Sequence, residues 1–264
     1  MSDVHDAALQ GFSRAALSYG RGRPGYPEAL LAWLQQKLRL GPRTTVVDLG
    51  AGTGKFSQLL LRTGAHVLAV EPVDAMRAQL LQNLPVLTAI AGTAQSMALA
   101  AGSVDALVCA QAFHWFANRE ALQEIHRVLR PGGKLGLVWN VRDESVEWVA
   151  AITAIMAPYE GDAPRFHTGQ WRRLFPNELF TEPEEFPVNH QHTGSAQQVI
   201  IDRFMSVSFI AALPAAQHAD VAARLRALIA THTQLKGREV IAVPYRTLAY
   251  CCESKPPPGG AAEP

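Results

Sequence analysis

One stretch constrains this chain more than any other: Thr44-Thr45-Val46-Val47-Asp48-Leu49, followed at once by Gly50-Ala51-Gly52-Thr53-Gly54. Apart from Asp48 the first six residues are β-branched or apolar, as a strand buried on both faces requires. Phe56, Leu59 and Leu60 then repeat at helical spacing until Gly64 supplies a stop. A strand, a glycine turn and a helix in that order form a ligand cradle at the carboxyl edge of a parallel sheet. Glycine suits the turn because the backbone must bend sharply and lie close to a ligand with no Cβ in the way.

The spacing narrows the ligand. A dinucleotide fingerprint, Gly-x-Gly-x-x-Gly, needs a third glycine at position 55 or 57, and those positions hold Lys55 and Ser57. The order present is Asp48-x-Gly50-x-Gly52-x-Gly54. A second acid follows, because Ala65 to Val70 reads as the next strand and runs into Glu71. An acid at that strand end can accept hydrogen bonds from both ribose hydroxyls of an adenosine ligand.

Further strands are expected at Val86–Ala91, Val104–Ala110 and Lys134–Trp139, with helices at Glu28–Leu40, Asp74–Leu84 (Asp74 as N-cap) and Asn118–Arg130. Strand and helix alternate, which predicts an α/β fold with a mostly parallel, doubly wound sheet. After Asn140 the rhythm changes. Val146, Val149, Ile152 and Ile155 mark a helix, Pro158 to Pro176 is loop-rich, and Phe186 to Thr193 is a short strand candidate. Ala196–Leu213 and Ala215–Lys236 read as two helices, and Val240–Cys252 as a last strand whose Pro244 argues for an edge or bulge position. The expected organisation is a disordered stretch over 1–10, a cofactor-binding core over 11–140, a helical cap and substrate region with the last strands over 141–252, and a disordered tail over 253–264.

A formal net charge of +1 argues against an electrostatic nucleic-acid binder. No run approaches the roughly 18–20 apolar residues of a membrane span, and the polar stretch Met1 to Gln10 is unlike a signal peptide. Cys109, Cys251 and Cys252 lack metal-ligand spacing, and the adjacent pair makes poor disulfide partners. The expectation is a cytoplasmic protein, monomer or homodimer, whose partner is a small molecule, with no metal, nucleic acid or membrane.

Asp48-x-Gly50-x-Gly52-x-Gly54 resembles the first motif of the class I S-adenosylmethionine-dependent methyltransferases. With Arg23-Pro24-Gly25-Tyr26-Pro27, Gln111-Ala112-Phe113-His114-Trp115-Phe116 and Leu129-Arg130-Pro131-Gly132-Gly133, the chain is similar, over roughly residues 10 to 140, to the small-molecule methyltransferases grouped with trans-aconitate methyltransferase and the type 11 domain. The resemblance implies a seven-stranded sheet with an antiparallel last strand, roofed by a helical cap from the C-terminal half, and S-adenosylmethionine as cofactor. It implies that Asp48, Gly50, Gly52 and Gly54 hold the methionine part and shape its loop, and that Glu71 holds the ribose. Pro72 and Val73 would lie against the adenine, Thr93 and Ala94 would border its edge, and Gln111 would begin the wall near the sulfonium. Many relatives carry Asp-Ala where this chain has Thr93-Ala94.

Tyr19 and Arg23 are expected to close over the cofactor, Arg23 pairing with its carboxylate. The candidate catalytic residues are His114, which orients substrate or takes a proton, and Trp115, which walls off the methyl group. The competing reading makes His114 a hydrogen-bonded loop histidine; Phe116 is expected to be core. Trp139 and Asn140 end a strand at the same edge, and Arg142, Arg165, His167, Arg172 and Arg173 are candidates for a substrate carboxylate or for solvated faces. The expected activity is methyl transfer to a small organic molecule, a carboxylate among the options. The rivals are a nicotinamide-dependent oxidoreductase and a non-catalytic S-adenosylmethionine-binding protein.

Overall fold

A computed structural model describes residues 23–161 and 164–256. Tyr19 lies outside the described residues, as do the stretches 1–10 and 257–264. In chain order the elements are α1 (Leu30–Gln36), β1 (Thr45–Leu49), α2 (Ser57–Leu61), β2 (His66–Val70), α3 (Asp74–Asn83), β3 (Thr88–Ile90), β4 (Val104–Ala110), α4 (Arg119–Val128), β5 (Leu129–Arg142), α5 (Glu147–Met156), β6 (Glu184–Gly194), α6 (Ala215–Thr231) and β7 (Ile241–Glu253). Between β6 and α6 runs a π-helical turn, Gln197–Asp202, continued by the helical pieces Arg203–Met205 and Ser208–Ala211.

The seven strands form one sheet in the order β3-β2-β1-β4-β5-β7-β6. β1 to β5 pair in parallel, and β7 runs antiparallel to both β5 and β6. The order reverses between β1 and β4, and the carboxyl ends of strands at such a switch point frame a crevice. Both faces are covered, which is why β1 is apolar on both sides. Val47 and Leu49 pack towards α4, whose Leu122, Ile125 and Val128 are fully buried, and towards Trp171, Phe175 and Phe180. Val46 packs on the other face with Trp33 and Leu34 of α1, Leu60 of α2 and Leu80 of α3. Asn118 caps α4, its Oδ1 accepting from the Ala121 N–H at 2.8 Å.

The C-terminal half adds a third core. Val149 and Ile152 of α5 pack with Ile200 and Phe204 of the π-turn helix, Val221 and Leu225 of α6, and Val243 and Tyr245 of β7. These helices form the cap, which carries a hydrophobic centre of its own.

Several expectations shift. Asp74 is not an N-cap: Val73 occupies that position, and the Asp74 carboxylate pairs with Arg77 at 2.6 Å. The helix expected over Ala196–Leu213 breaks into the π turn and two short pieces, and the one expected to reach Lys236 ends at Thr231. β7 lies inside the sheet, not at an edge. Pro244 nevertheless sits beyond Tyr245↔Arg142, the last pair with β5, so only β6 flanks it there. Residues 253–255 are not a free tail: β7 continues through Glu253, Ser254 bridges Phe180, and the Lys255 N–H donates to the Leu179 carbonyl at 2.8 Å.

Candidate active site

At the carboxyl edge of β1, β2 and β4 lies a cleft whose free space, mouth included, is ≈ 1210 Å³. The glycine loop forms its floor, Glu71 to Val73 and Thr93 to Gln95 one side, and Gln111, Trp115, Phe116 and Asn140 another. Arg23, Lys55 and Arg203 also border it.

The three glycines of the loop serve three different ends. Each has positive φ, a conformation side chains resist. At Gly50 a Cβ would stand 2.7 Å from the Ala112 Cβ, and at Gly54 it would stand 2.9 Å from Leu84 Cδ1, so both positions are glycine because the protein packs against them. At Gly52 a Cβ would meet no protein atom within 4 Å. Gly52 borders the cleft, so the space kept clear there belongs to a ligand. Gly54, by contrast, does not line it.

Two carboxylates sit beside this loop. Asp48, next to last in β1, is wholly buried and accepts from the Ser57 hydroxyl at 2.6 Å through Oδ2, while its Oδ1 has no partner. Burial pushes the Asp48 carboxyl up to about 7 against the opposing Ser57 hydrogen bond, with the neighbouring Glu71 charge adding to the rise. Glu71 is also buried, and burial raises it despite backbone donors: Gly52 N–H to Oε2 at 2.8 Å and Val73 N–H to Oε1 at 2.9 Å. A carboxylate oxygen accepts more than one hydrogen bond, so Glu71 keeps capacity for hydroxyl donors. An orphaned Asp48 oxygen, a Glu71 with acceptor capacity and a cleared Gly52 together fit a cationic adenosyl ligand. Met76, buried in α3, and Pro72 and Val73 offer apolar surface on the same side.

Gln111, at the end of β4, holds a left-handed backbone (φ 58°) and donates its N–H to Val138 O at 2.8 Å. Strain of this kind persists only where surrounding structure fixes it, and here it directs the chain into the cleft wall. Asn140 is tied on three sides: Nδ2 to Gly25 O at 2.9 Å, Oδ1 accepting from Thr247 Oγ1 at 2.6 Å, and its carbonyl accepting from Gln111 Nε2 at 3.3 Å.

His114 does not line the main cleft. It faces a second, more polar cavity with Arg165, Thr168 and Gln170, and Trp115 and Phe116 border both spaces. Its Nδ1 accepts from Trp139 Nε1 at 3.0 Å, which places the ring proton on Nε2. Burial, with Arg165 and Arg23 adding to it, lowers His114 to about 3. The ring is neutral and presents a donor, which favours orientation over proton abstraction. Trp139 itself is core, its ring 4.7 Å from that of Trp171. Phe116, expected as core, is only partly buried and walls the cleft.

The arginines read from sequence as a carboxylate cluster are not gathered at the main cleft. Arg165 pairs with Glu160 at 2.8 Å, Arg172 with Glu182 at 3.2 Å, and Arg142 lies 3.6 Å from Glu144. The cations at the cleft are Arg23, Lys55 and Arg203 instead. Lys55 Nζ donates to the Arg23 carbonyl at 2.5 Å, and Arg23 Nη2 reaches Ser206 O of the cap at 3.5 Å. Burial lowers Lys55 to about 8, with Arg23 and Arg203 pushing the same way. Lys55 and Arg203 are the residues sequence reasoning missed. The signal for Arg203 was legible: a lone cation inside the apolar run Val199-Ile200-Ile201-Asp202-Arg203-Phe204-Met205.

Residues 47–137 match a family model described as a methyltransferase domain. An uncharacterized methyltransferase-like protein of Schizosaccharomyces pombe is 35% identical, the match covering 94% of this chain and 97% of the relative. An uncharacterized methyltransferase of Mycobacterium tuberculosis is 38% identical over 90% of this chain and 93% of its own length. Among solved structures, a proposed type II methyltransferase from Anaeromyxobacter dehalogenans is similar, with a TM-score of 0.61 and 25% identity, covering 88% of this chain and 97% of that one. The oxidoreductase and cofactor-sensor readings find no support in these likenesses. The glycine loop, its two acids and the relatives agree: S-adenosylmethionine is the cofactor, and the chain belongs to the class I S-adenosylmethionine-dependent methyltransferases.

Proposed function

We propose that the protein transfers a methyl group to a small organic acceptor carrying a carboxylate, within the cleft between the glycine loop and the cap. The observation that carries the reading is the division of that cleft, with Asp48 and Glu71 at the sheet edge and Arg23, Lys55 and Arg203 around the rest. When bound, S-adenosylmethionine supplies an activated methyl group whose leaving group is a neutral thioether. Asp48, Gly52, Glu71, Pro72, Val73, Thr93, Ala94 and Gln111 hold it. Gly50 borders the same cleft, Gly54 shapes the loop from behind, and Arg23 meets its carboxylate.

The remaining work is positioning and exclusion of water, and well-oriented groups reach effective molarities of about 10⁵–10⁸ M. Trp115 screens the reacting centre. His114 acts as a fixed donor behind it. A carboxylate acceptor is ionised at neutral pH and needs no base, in keeping with a histidine lowered to about 3. The new bond forms from a carboxylate oxygen to the methyl carbon as the carbon–sulfur bond breaks, giving a methyl ester. Three free thiols, Cys109, Cys251 and Cys252, suit a reducing cytoplasm.

Incubating the protein with methyl-labelled S-adenosylmethionine and a fractionated pool of small organic acids tests the reading. A labelled ester that alkaline hydrolysis releases as methanol is expected. Label appearing on nitrogen, on carbon or on no product refutes the carboxylate assignment.

A further inference from the structure

Arg203 is buried, with 8% of its surface exposed, yet its Nε and Nη1 have no hydrogen-bond partner. Among the described residues no carboxylate pairs with it. The adjacent acid, Asp202, is engaged elsewhere: its Oδ1 accepts from Gln197 Nε2 at 2.7 Å on the exposed side of the helix. Lys55 and Arg142 both feel Arg203 as a repelling neighbour of their own sign. Arg142 and Arg203 lie near one ring, with guanidinium carbons 5.7 and 5.4 Å from the centroid of Phe204. Arg142 has Glu144 beside it, whereas among the described residues no carboxylate forms an ion pair with Arg203.

Burying a guanidinium without a counter-charge costs several kcal/mol, and a fold keeps such a group when something absent from the chain repays it. The local backbone points the same way. Arg203 follows directly on the π turn Gln197–Asp202, and π turns inside helices recur where a side chain must be re-aimed for a functional site. The turn leaves Asp202 outside and carries Arg203 to the cleft border.

We infer that Arg203 is the specificity-determining residue of the cap, receiving an anionic group of the methyl acceptor and completing its buried ion pair only when that molecule binds. The inference rests on the proposed function and adds the contact that selects the substrate. Arg23 and Lys55 are linked to each other at the glycine-loop side, while Arg203 belongs to the cap. Guanidinium suits the task because its planar fork matches a carboxylate bidentately, which an ammonium group cannot do.

The test is calorimetric titration of the full chain, preloaded with S-adenosylhomocysteine, with citrate as the anionic probe and its uncharged trimethyl ester as control. Citrate should bind wild type, weaken at least about tenfold in Arg203→Met and by less in Arg203→Lys, and the ester should not bind. S-adenosylhomocysteine affinity should stay within about twofold in both variants, which also shows that they fold. Equal citrate binding by wild type and Arg203→Met overturns the inference, as does absence of citrate binding to wild type. A parallel loss of S-adenosylhomocysteine affinity overturns it too, by assigning Arg203 to the cofactor. Failure of wild type to bind S-adenosylhomocysteine at all would instead strike the function on which the inference rests.

Discussion

The two sides of the cleft are built on different plans. The sheet side rests on a parallel sheet covered on both faces, and what it presents to the cleft is backbone, glycine and two buried acids, Asp48 and Glu71. The cap has a separate core, centred on Val149, Ile152, Phe204 and Leu225, and it delivers a cation, Arg203, through a distorted helix. The sheet side is thus specified by short-range rules, where each residue is fixed by its strand end. The cap side is specified by how helices from distant parts of the chain happen to pack. One side suits a constant cofactor and the other a variable acceptor.

Variants of the sheet side should separate cleanly from variants of the cap. The largest expected effect is at Gly52. Gly52→Val should lower S-adenosylhomocysteine affinity more than a hundredfold by calorimetry, because its side chain enters ligand space and no protein group can yield. Gly50→Ala makes the opposite pattern: the Cβ would press on Ala112 at positive φ, costing about 2–5 kcal/mol of stability. Chemical denaturation should show that loss, with binding by the folded fraction retained. Were the two variants to behave alike, the division of labour among the glycines would be wrong.

Glu71→Ala should raise the dissociation constant of S-adenosylhomocysteine about tenfold or more, since hydrogen bonds to a charged group contribute about 1.5–3 kcal/mol each. Citrate binding to the loaded variant should be unaffected if the cap acts independently.

Asp48 offers a subtler measure. Its carboxyl rises from 3.8 unfolded to about 7 folded, so the folded state holds its proton more tightly. Stability from this group is complete below about pH 4 and is lost as pH rises through 7. Asp48→Asn should flatten the pH dependence of the melting temperature across that window in the ligand-free protein. An unchanged slope would place the titration elsewhere. The smallest effect concerns His114: His114→Gln should leave the pH profile of kcat/KM without any lost limb near 6.5, because the wild-type ring does not titrate there. A limb that disappears in this variant would restore His114 as a base.

The sheet side was legible in the chain because its logic is local. Asp48, the glycine spacing and Glu71 each follow from a strand ending where a turn begins, and periodicity locates such points. Even so, spacing alone treated the three glycines as equals, and only neighbours distant in sequence (Ala112, Leu80 and Leu84) tell them apart. The cap was read as helices and as the substrate region, but its carboxylate partners were sought at Arg142, Arg165, His167, Arg172 and Arg173. The π turn, the strained Gln111 backbone and the hydrogen bond from Trp139 to His114 all depend on tertiary contact. Arginine counting pointed to Arg165 and Arg172, which have carboxylates of their own, whereas the informative cation is the one left without.

Trp115 and Phe116 stand between the main cleft and the polar chamber that holds His114 and Arg165. Two aromatic rings used as a party wall make acceptor length a matter of masonry. On the proposed reading, molecules that end at the indole would be retained, and longer ones refused unless the partition gives way. Trimming Trp115 to alanine would join the rooms, letting one scaffold accept a more extended family of acids without touching the side that carries the methyl donor.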